Sequence, residues 1–559
     1  MSFIFLYTIV LLYIGICSYL GWLGYKHTHS STDFMVAGRR TNPYIMSLSY
    51  GATFISTSAI IGFGGAAAVF GTGLIWLTFL NIFLGIFVAF ALFGRATRRI
   101  GSNLDARTFP ELLGRRYQSK FIQLFSGLVI FIVMPLYTAA VMIGGANILA
   151  EIFQIAVAPA LVIFSVIVAM YVISGGLKSV MYTDAFQAVV MFFVMTAFLL
   201  LTFAHLGGPF VAFEKLSSLA PEAIKIFGAR GHQGWHAMPV GGSPLWWELV
   251  TTIVLGVGIG VLAQPQLAVR FMTVKDGRSL NRAIGIGGVF ILAMTGFAFT
   301  VGALTNVYFF EQGGQISFLA AGKAVDKIIP MYIAAAMPKA FGAVFLVGML
   351  AAGMSTLSSQ IHTMGTALGH DVYRTAFGGD REKSLAVNRI AMFITILGST
   401  ILAWYLPILL EKQGVEIIAR GTSIFFGLCA AAFLPLYILG LFTRWVTRQG
   451  AIAGMIAGTA TSFFWIAFVN AKSAAALGLA KGLFGAETLI ASQPWPVVDP
   501  VVIGLPISFA VTILVSLFTK KTPAEHLALC FEGKGATSHP VPTIDEVLDP
   551  EAEEKNGKG

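Results

Sequence analysis

Apolar runs of roughly 20 residues alternate with short polar connectors along most of this chain, and at about 1.5 Å per residue each run can cross a hydrocarbon layer of about 30 Å. About thirteen such runs are predicted as membrane-crossing helices. They lie near residues 3–24, 44–69, 72–94, 121–150, 157–174, 181–205, 246–269, 283–309, 341–369, 389–408, 417–442, 450–470 and 499–518. The first run, "FIFLYTIVLLYIGICSYLGWLG", is too long for a signal-peptide core and has no basic region before it, so it is read as span one.

The connectors add an orientation. One alternating set carries Lys26, Arg39 and Arg40, then Arg95, Arg98, Arg99, Arg107, Arg115 and Arg116, then Lys178, and later Arg270, Lys275, Arg278 and Arg282. It continues through Arg374, Arg381, Lys383 and Arg389 to Arg444, Arg448, Lys520 and Lys521. By the positive-inside rule these loops are cytoplasmic, which puts the amino terminus outside and the carboxyl tail inside the cell membrane. Composition agrees: 57% of the 559 residues are hydrophobic and 11% are charged, so a soluble globular protein is excluded. The net charge of +10 follows from loop orientation and does not imply a nucleic-acid partner. Three cysteines, Cys17, Cys429 and Cys530, have neither disulfide-framework nor zinc-type spacing.

Spans two to six and seven to eleven form two sets of five, and an odd number per set makes the second enter from the opposite side, the footprint of an inverted repeat. The chain then divides into span one with its cytoplasmic loop (1–43), a first repeat (44–205) and an outer loop (206–245). A second repeat (246–442), two additional spans (443–521) and a tail read as disordered (522–559) follow. The leading span of each repeat carries helix-breaking residues. Span two holds "GATFISTSAIIGFGG", and span seven holds "GVGIGVLAQPQ". A break at mid-membrane leaves backbone groups that are tolerated only where they line a cavity or bind a ligand.

Inside span nine, "AAGMSTLSSQ" places Ser355, Thr356, Ser358 and Ser359 across roughly 160° of one helix side. Neutral hydroxyls and carbonyls suit a weakly held monovalent cation, although serines and threonines in spans also bond back to their own helix or glue neighbours together. Asp184, about a turn into span six, is an ionisable group where charge is costly. It is read either as part of a cation site or as a helix-start acid paired with Lys178.

Several stretches together resemble the sodium:solute symporter family: "SLSYGATFISTSAIIGFGGAA", "GGLKSVMYTDAFQ", "LAVRFMTVKD", "GMLAAGMSTLSSQIHTMGTALGHDVYR" and "LPLYILGLFTRWVTRQGAIAGMIAG". Within that family the first and third look most like the pantothenate and monocarboxylate branch. The resemblance implies an all-α, LeuT-like fold with discontinuous helices and sodium-coupled import of a small organic solute. It implies a first Na+ site from the carbonyls of Ala52, Ile55 and Ala352 with the hydroxyls of Ser355 and Thr356. A second Na+ site from Asp184, Ser358 and Ser359, sharing Ser355, is also implied. Proline-transporting members carry an Asp where this chain has Phe54. Beside the two breaks, Thr53, Phe54, Ser56, Thr57, Gln264 and Gln266 are expected to meet the solute, with Tyr137 of span four as a third wall. Structural roles for each, satisfying freed backbone or packing, stay open. Arg420 is a candidate for a carboxylate solute or for snorkelling to the outer surface.

Other features carry less. His232 and His236 have helical metal-ligand spacing without a third ligand, and the glycines near residues 284–288 follow no strand, as a nucleotide loop would. Rival readings are a proton-coupled symporter using Asp184, a membrane sensor or channel, and an intramembrane enzyme, for which the spans hold no convincing nucleophile, acid pair or metal cluster. Lack of Asn-x-Ser/Thr acceptors hints at a prokaryotic source.

Overall fold

In the computed structural model, residues 3–378, 383–410 and 417–533 are described. Among them, eleven helical stretches are long and apolar enough to cross a membrane, and Val157–Ile173 is a shorter apolar helix. The thirteen predicted runs map onto these. Span two is split between the helix Pro43–Phe54 and a segment from Ser58, which runs on in one stretch to Asn103 and so includes span three.

Local sequence sets the ends of several helices. Ser119 accepts a hydrogen bond from the Ile122 N–H at the head of Lys120–Phe153, and Asp276 accepts one from the Ser279 N–H at the head of Gly277–Gly313. Spans five and six form one helical run, Val157–Leu206, bent at Gly176, whose φ of 59° and ψ of −152° suit only glycine. A Cβ there would also collide with Phe34.

Both predicted breaks are present. The helix Pro43–Phe54 ends where Ile55 turns extended (φ −87°, ψ 100°), and Gln264 does the same in span seven (φ −72°, ψ 115°) before Pro265 starts a new turn. The head of span two and the end of span seven are joined by an isolated parallel bridge between Thr41 and Val274, with the Thr41 N–H donating to the Thr273 carbonyl at 3.0 Å. Span nine is deeply enclosed: from Phe345 to Ala367 every residue is buried.

Two expectations change. Within the tail, Ala524–Glu532 is a helix, held by Asn103 Nδ2 donating to the Cys530 carbonyl (3.0 Å), by an Arg444–Glu532 ion pair (2.9 Å) and by Arg116 over the Phe531 ring. Its apolar face, with Leu529 and Cys530 buried, finds a partner surface on the connector after span three. Residues 534–559 lie outside the described residues. In that connector, Arg115 and Arg116 are buried, not solvated as loop cations. Glu111 pairs with Arg115 at 2.8 Å and faces His370 at 3.2 Å. Burial pushes the Glu111 carboxyl up, but Arg115 and His370 outweigh it and hold it well below the usual range.

Candidate functional site

The break in span two decides where the site's oxygens point. When the helix stops at Phe54, the Gly51 carbonyl still receives the Ile55 N–H at 2.9 Å, while the next carbonyls face span nine. The Ser355 hydroxyl is 2.9 Å from the Ala52 carbonyl and 3.2 Å from the Ala352 carbonyl, and the Thr356 hydroxyl donates to the Thr53 carbonyl at 3.0 Å. Ala52, Ile55, Ala352, Ser355 and Thr356 are all buried. Four of these five predicted sodium donors therefore lie on the facing surfaces of the two spans, and Ile55 is the break residue itself. Uncharged oxygens in a dry site suit a monovalent cation that must later leave.

Asp184, Ser358 and Ser359 are also brought together, around a group that sequence reasoning assigned to a cytoplasmic loop. Asp184 Oδ1 accepts from Ser358 at 3.1 Å. Its Oδ2 accepts from Ser49 (2.9 Å), Thr53 (3.2 Å) and Arg270 Nη2 (2.9 Å). Arg270 Nη2 also donates to Thr53 and Ser359, both at 2.6 Å, its Nε donates to Ser49 at 3.1 Å, and its Nη1 donates to the Gln266 carbonyl. Both charged side chains are fully buried. The helix-start alternative for Asp184 named Lys178 as its partner; Lys178 instead pairs with Asp33 at 3.3 Å. Arg270 stands alone within "LAVRFM", and that isolation is the signal that could have marked it as a span residue.

The expected solute residues separate. Phe54, Ser56 and Tyr137 line one small cavity of about 20 Å³, together with Ile55, Asn81, Val257, Thr295, Phe299, Thr422 and Phe426. Tyr137 stacks on Phe425 and meets Phe426 edge-on. Among the described residues that line it, none is acidic or basic. Thr53 is instead taken up by Asp184 and Arg270, and Thr57 donates to the Val141 carbonyl of span four at 3.4 Å. Gln264 and Gln266 bond each other (3.0 Å) and do not line the cavity. Asn81 and Thr295 were missed because each is a lone polar residue in an apolar run, and Thr422 because it stands beside Ser423 near the start of span eleven with nothing to single it out. The Arg420 side chain lies outside the described residues. His232 and His236 are engaged with the carbonyls of Val69 (2.9 Å) and Phe213 (3.2 Å).

This geometry, two interrupted spans flanking a hydroxyl-bearing third, accompanies a match between residues 34–458 and the profile of the sodium:solute symporter family. The chain belongs to the sodium:solute symporter family. It is a multi-pass membrane protein of a sodium-coupled class. Curated relatives of this symporter include sodium/proline symporter 2 of Staphylococcus saprophyticus, 27% identical over 541 residues and covering 92% of this chain and 93% of the relative. The high-affinity proline transporter PutP of Bacillus subtilis is 29% identical over 466 residues, covering 80% and 89%. A solved Na+-coupled sialic acid symporter in a substrate-bound outward-open state shares the fold, with a TM-score of 0.71 at 16% identity, covering 92% of this chain and 98% of that one. The relatives are sodium/proline symporters, so the likeness to a pantothenate and monocarboxylate branch is not what these comparisons support.

Proposed function

We propose that this symporter imports a small organic carboxylate, such as a monocarboxylate or a pantothenate-like acid, on the inward sodium gradient. The observation that carries the solute class is the cavity beside the span-two break. It offers neutral polar groups (Ser56, Asn81, Tyr137, Thr295, Thr422) among aromatic rings, with Phe54 in its wall and, among the described residues lining it, no acid to pair an ammonium group. Ile55 belongs both to the cavity wall and to the proposed donor set for sodium. A sodium ion held by Ala52, Ile55, Ala352, Ser355 and Thr356 thus places a positive charge beside the cavity, where the low dielectric strengthens attraction for a carboxylate.

Sodium bridges span nine to the span-two break and favours the arrangement that receives solute; movement of span two away from span nine parts the donors and releases both ligands. Coupling is mutual, because each ligand must favour the shared closed state over the empty alternatives. At 20 Å³ the cavity holds about one water, so solute entry requires its aromatic wall to open. The basic loops orient the amino terminus outside and the carboxyl end in the cytoplasm.

Uptake into proteoliposomes tests this. Labelled propionate, lactate, pantothenate and proline are offered under an inward sodium gradient, under a pH gradient alone, and in choline. Sodium-dependent uptake of an acid in preference to proline is expected. Preference for proline overturns the solute class, and equal uptake in choline overturns sodium coupling.

A further inference from the structure

The donor set around Asp184 is what a second monovalent cation would need: one carboxylate with the hydroxyls of Ser49, Thr53, Ser358 and Ser359, all buried. The middle of that set is filled by the protein itself. Arg270 Nη2 lies 2.9 Å from Asp184 Oδ2 and 2.6 Å from both Thr53 Oγ1 and Ser359 Oγ, the distances of charge-assisted hydrogen bonds. Arg270 Nε takes Ser49 as well, so the guanidinium uses three of the four hydroxyls and one carboxylate oxygen.

We propose that Arg270 is a tethered cation that takes the place of a second sodium ion, so that this carrier binds and moves one sodium per solute. This rests on the proposed sodium-coupled import. Three physical points support it. A guanidinium remains charged at any physiological pH, so it neutralises Asp184 permanently. Being covalently attached, it competes with bulk sodium at a high effective concentration. Its position is over-determined: Nη1 is tied to the Gln266 carbonyl just past the span-seven break, so the cation is delivered by the same interrupted helix that flanks the solute site. A sodium ion entering the set would have to displace the guanidinium into a buried region holding no other carboxylate partner for it among its hydrogen bonds. The tether also links span seven to spans two, six and nine through one side chain.

An electrical consequence separates the two stoichiometries. One sodium with one monocarboxylate anion carries no net charge (+1 − 1 = 0), whereas two sodium ions would carry +1.

The test counts sodium directly, without needing the solute. Equilibrium binding of sodium-22 to the purified full-length chain, scaled to the folded fraction, is expected to give one ion per chain with a Hill coefficient near one. Two ions would overturn the inference and leave sodium coupling intact; no binding would instead overturn the sodium-coupled reading on which it rests. Arg270→Gln, checked for monodispersity, is expected to raise the count to two, because Asp184 and its hydroxyls become available. The double variant Arg270→Gln/Asp184→Asn is expected to return it to one. A folded Arg270→Gln protein that still binds one ion with unchanged affinity would overturn the displacement. Should Arg270→Gln fail to fold, the wild-type count decides on its own.

Discussion

Ser355→Ala is the most direct test of the proposed first sodium site. The hydroxyl lies 2.9 Å from the Ala52 carbonyl and 3.2 Å from the Ala352 carbonyl, so its oxygen sits where the carbonyls of two spans converge. Losing an oxygen that contacts a cation costs about 1.5–3 kcal/mol, by analogy with hydrogen bonds to charged groups. The substitution also removes the hydroxyl's own hydrogen bonding to those carbonyls, about 0.5–1.5 kcal/mol, which offsets part of that loss. A net weakening of about 1–2 kcal/mol corresponds to roughly a 5- to 30-fold rise in the sodium concentration for half-maximal uptake. Sodium titration of uptake into proteoliposomes at fixed solute, with choline holding ionic strength, measures it. Ser165→Ala serves as the comparison, since that hydroxyl joins Leu161 and Thr400 on spans five and ten. A shift of under about twofold in an actively transporting Ser355→Ala protein would falsify the site, as would an equal shift in Ser165→Ala.

Three further outcomes are expected. Phe54→Asp puts a carboxylate in the cavity wall, and repulsion of a like-charged solute should lower uptake of a monocarboxylate at least about tenfold, while competition by proline increases; unchanged propionate uptake would contradict the solute class. Glu111→Gln leaves Arg115 buried without its acid and should destabilise the protein by about 3–5 kcal/mol, read by thermal denaturation in detergent. Because the folded Glu111 carboxyl is held below its unfolded value of about 4.3, the deficit that comes from its ionisation should be fully present above that pH. It should shrink only as the pH falls below about 4 toward the lower folded value. Gly176→Ala forces a side chain into a glycine-only backbone region against Phe34, and a loss of about 1–3 kcal/mol or more should appear as a lower melting temperature.

The spans, the two interruptions and the hydroxyl wall were readable because each follows from one-dimensional rules: run length, helix-breaking residues and the cost of polarity in lipid. Asp184 was readable for the last of these reasons. Arg270 was not, because a basic residue at the end of an apolar run satisfies the positive-inside rule whether it faces the cytoplasm or turns inward. The packing of span seven against spans two and nine, which brings Arg270 to Asp184, decides between the two. The direction of Gln264 and Gln266 was equally hidden. An extended residue at position 264 resets the helical phase, so the faces before and after the break cannot be extrapolated across it. Thr53 and Thr57 flank Ser56 with near-identical chemistry, and their different partners, Arg270 and the Val141 carbonyl, depend on which neighbours span two meets.

The bridge between Thr41 and Val274 fastens the entry of span two to the exit of span seven. On the proposed mechanism the two interrupted rods, clasped at this end, would swing as a single lever whose free arms reach toward the opposite membrane face. Prying them from span nine would then be one motion, not two, and departure of the ion would be tied to departure of the cargo.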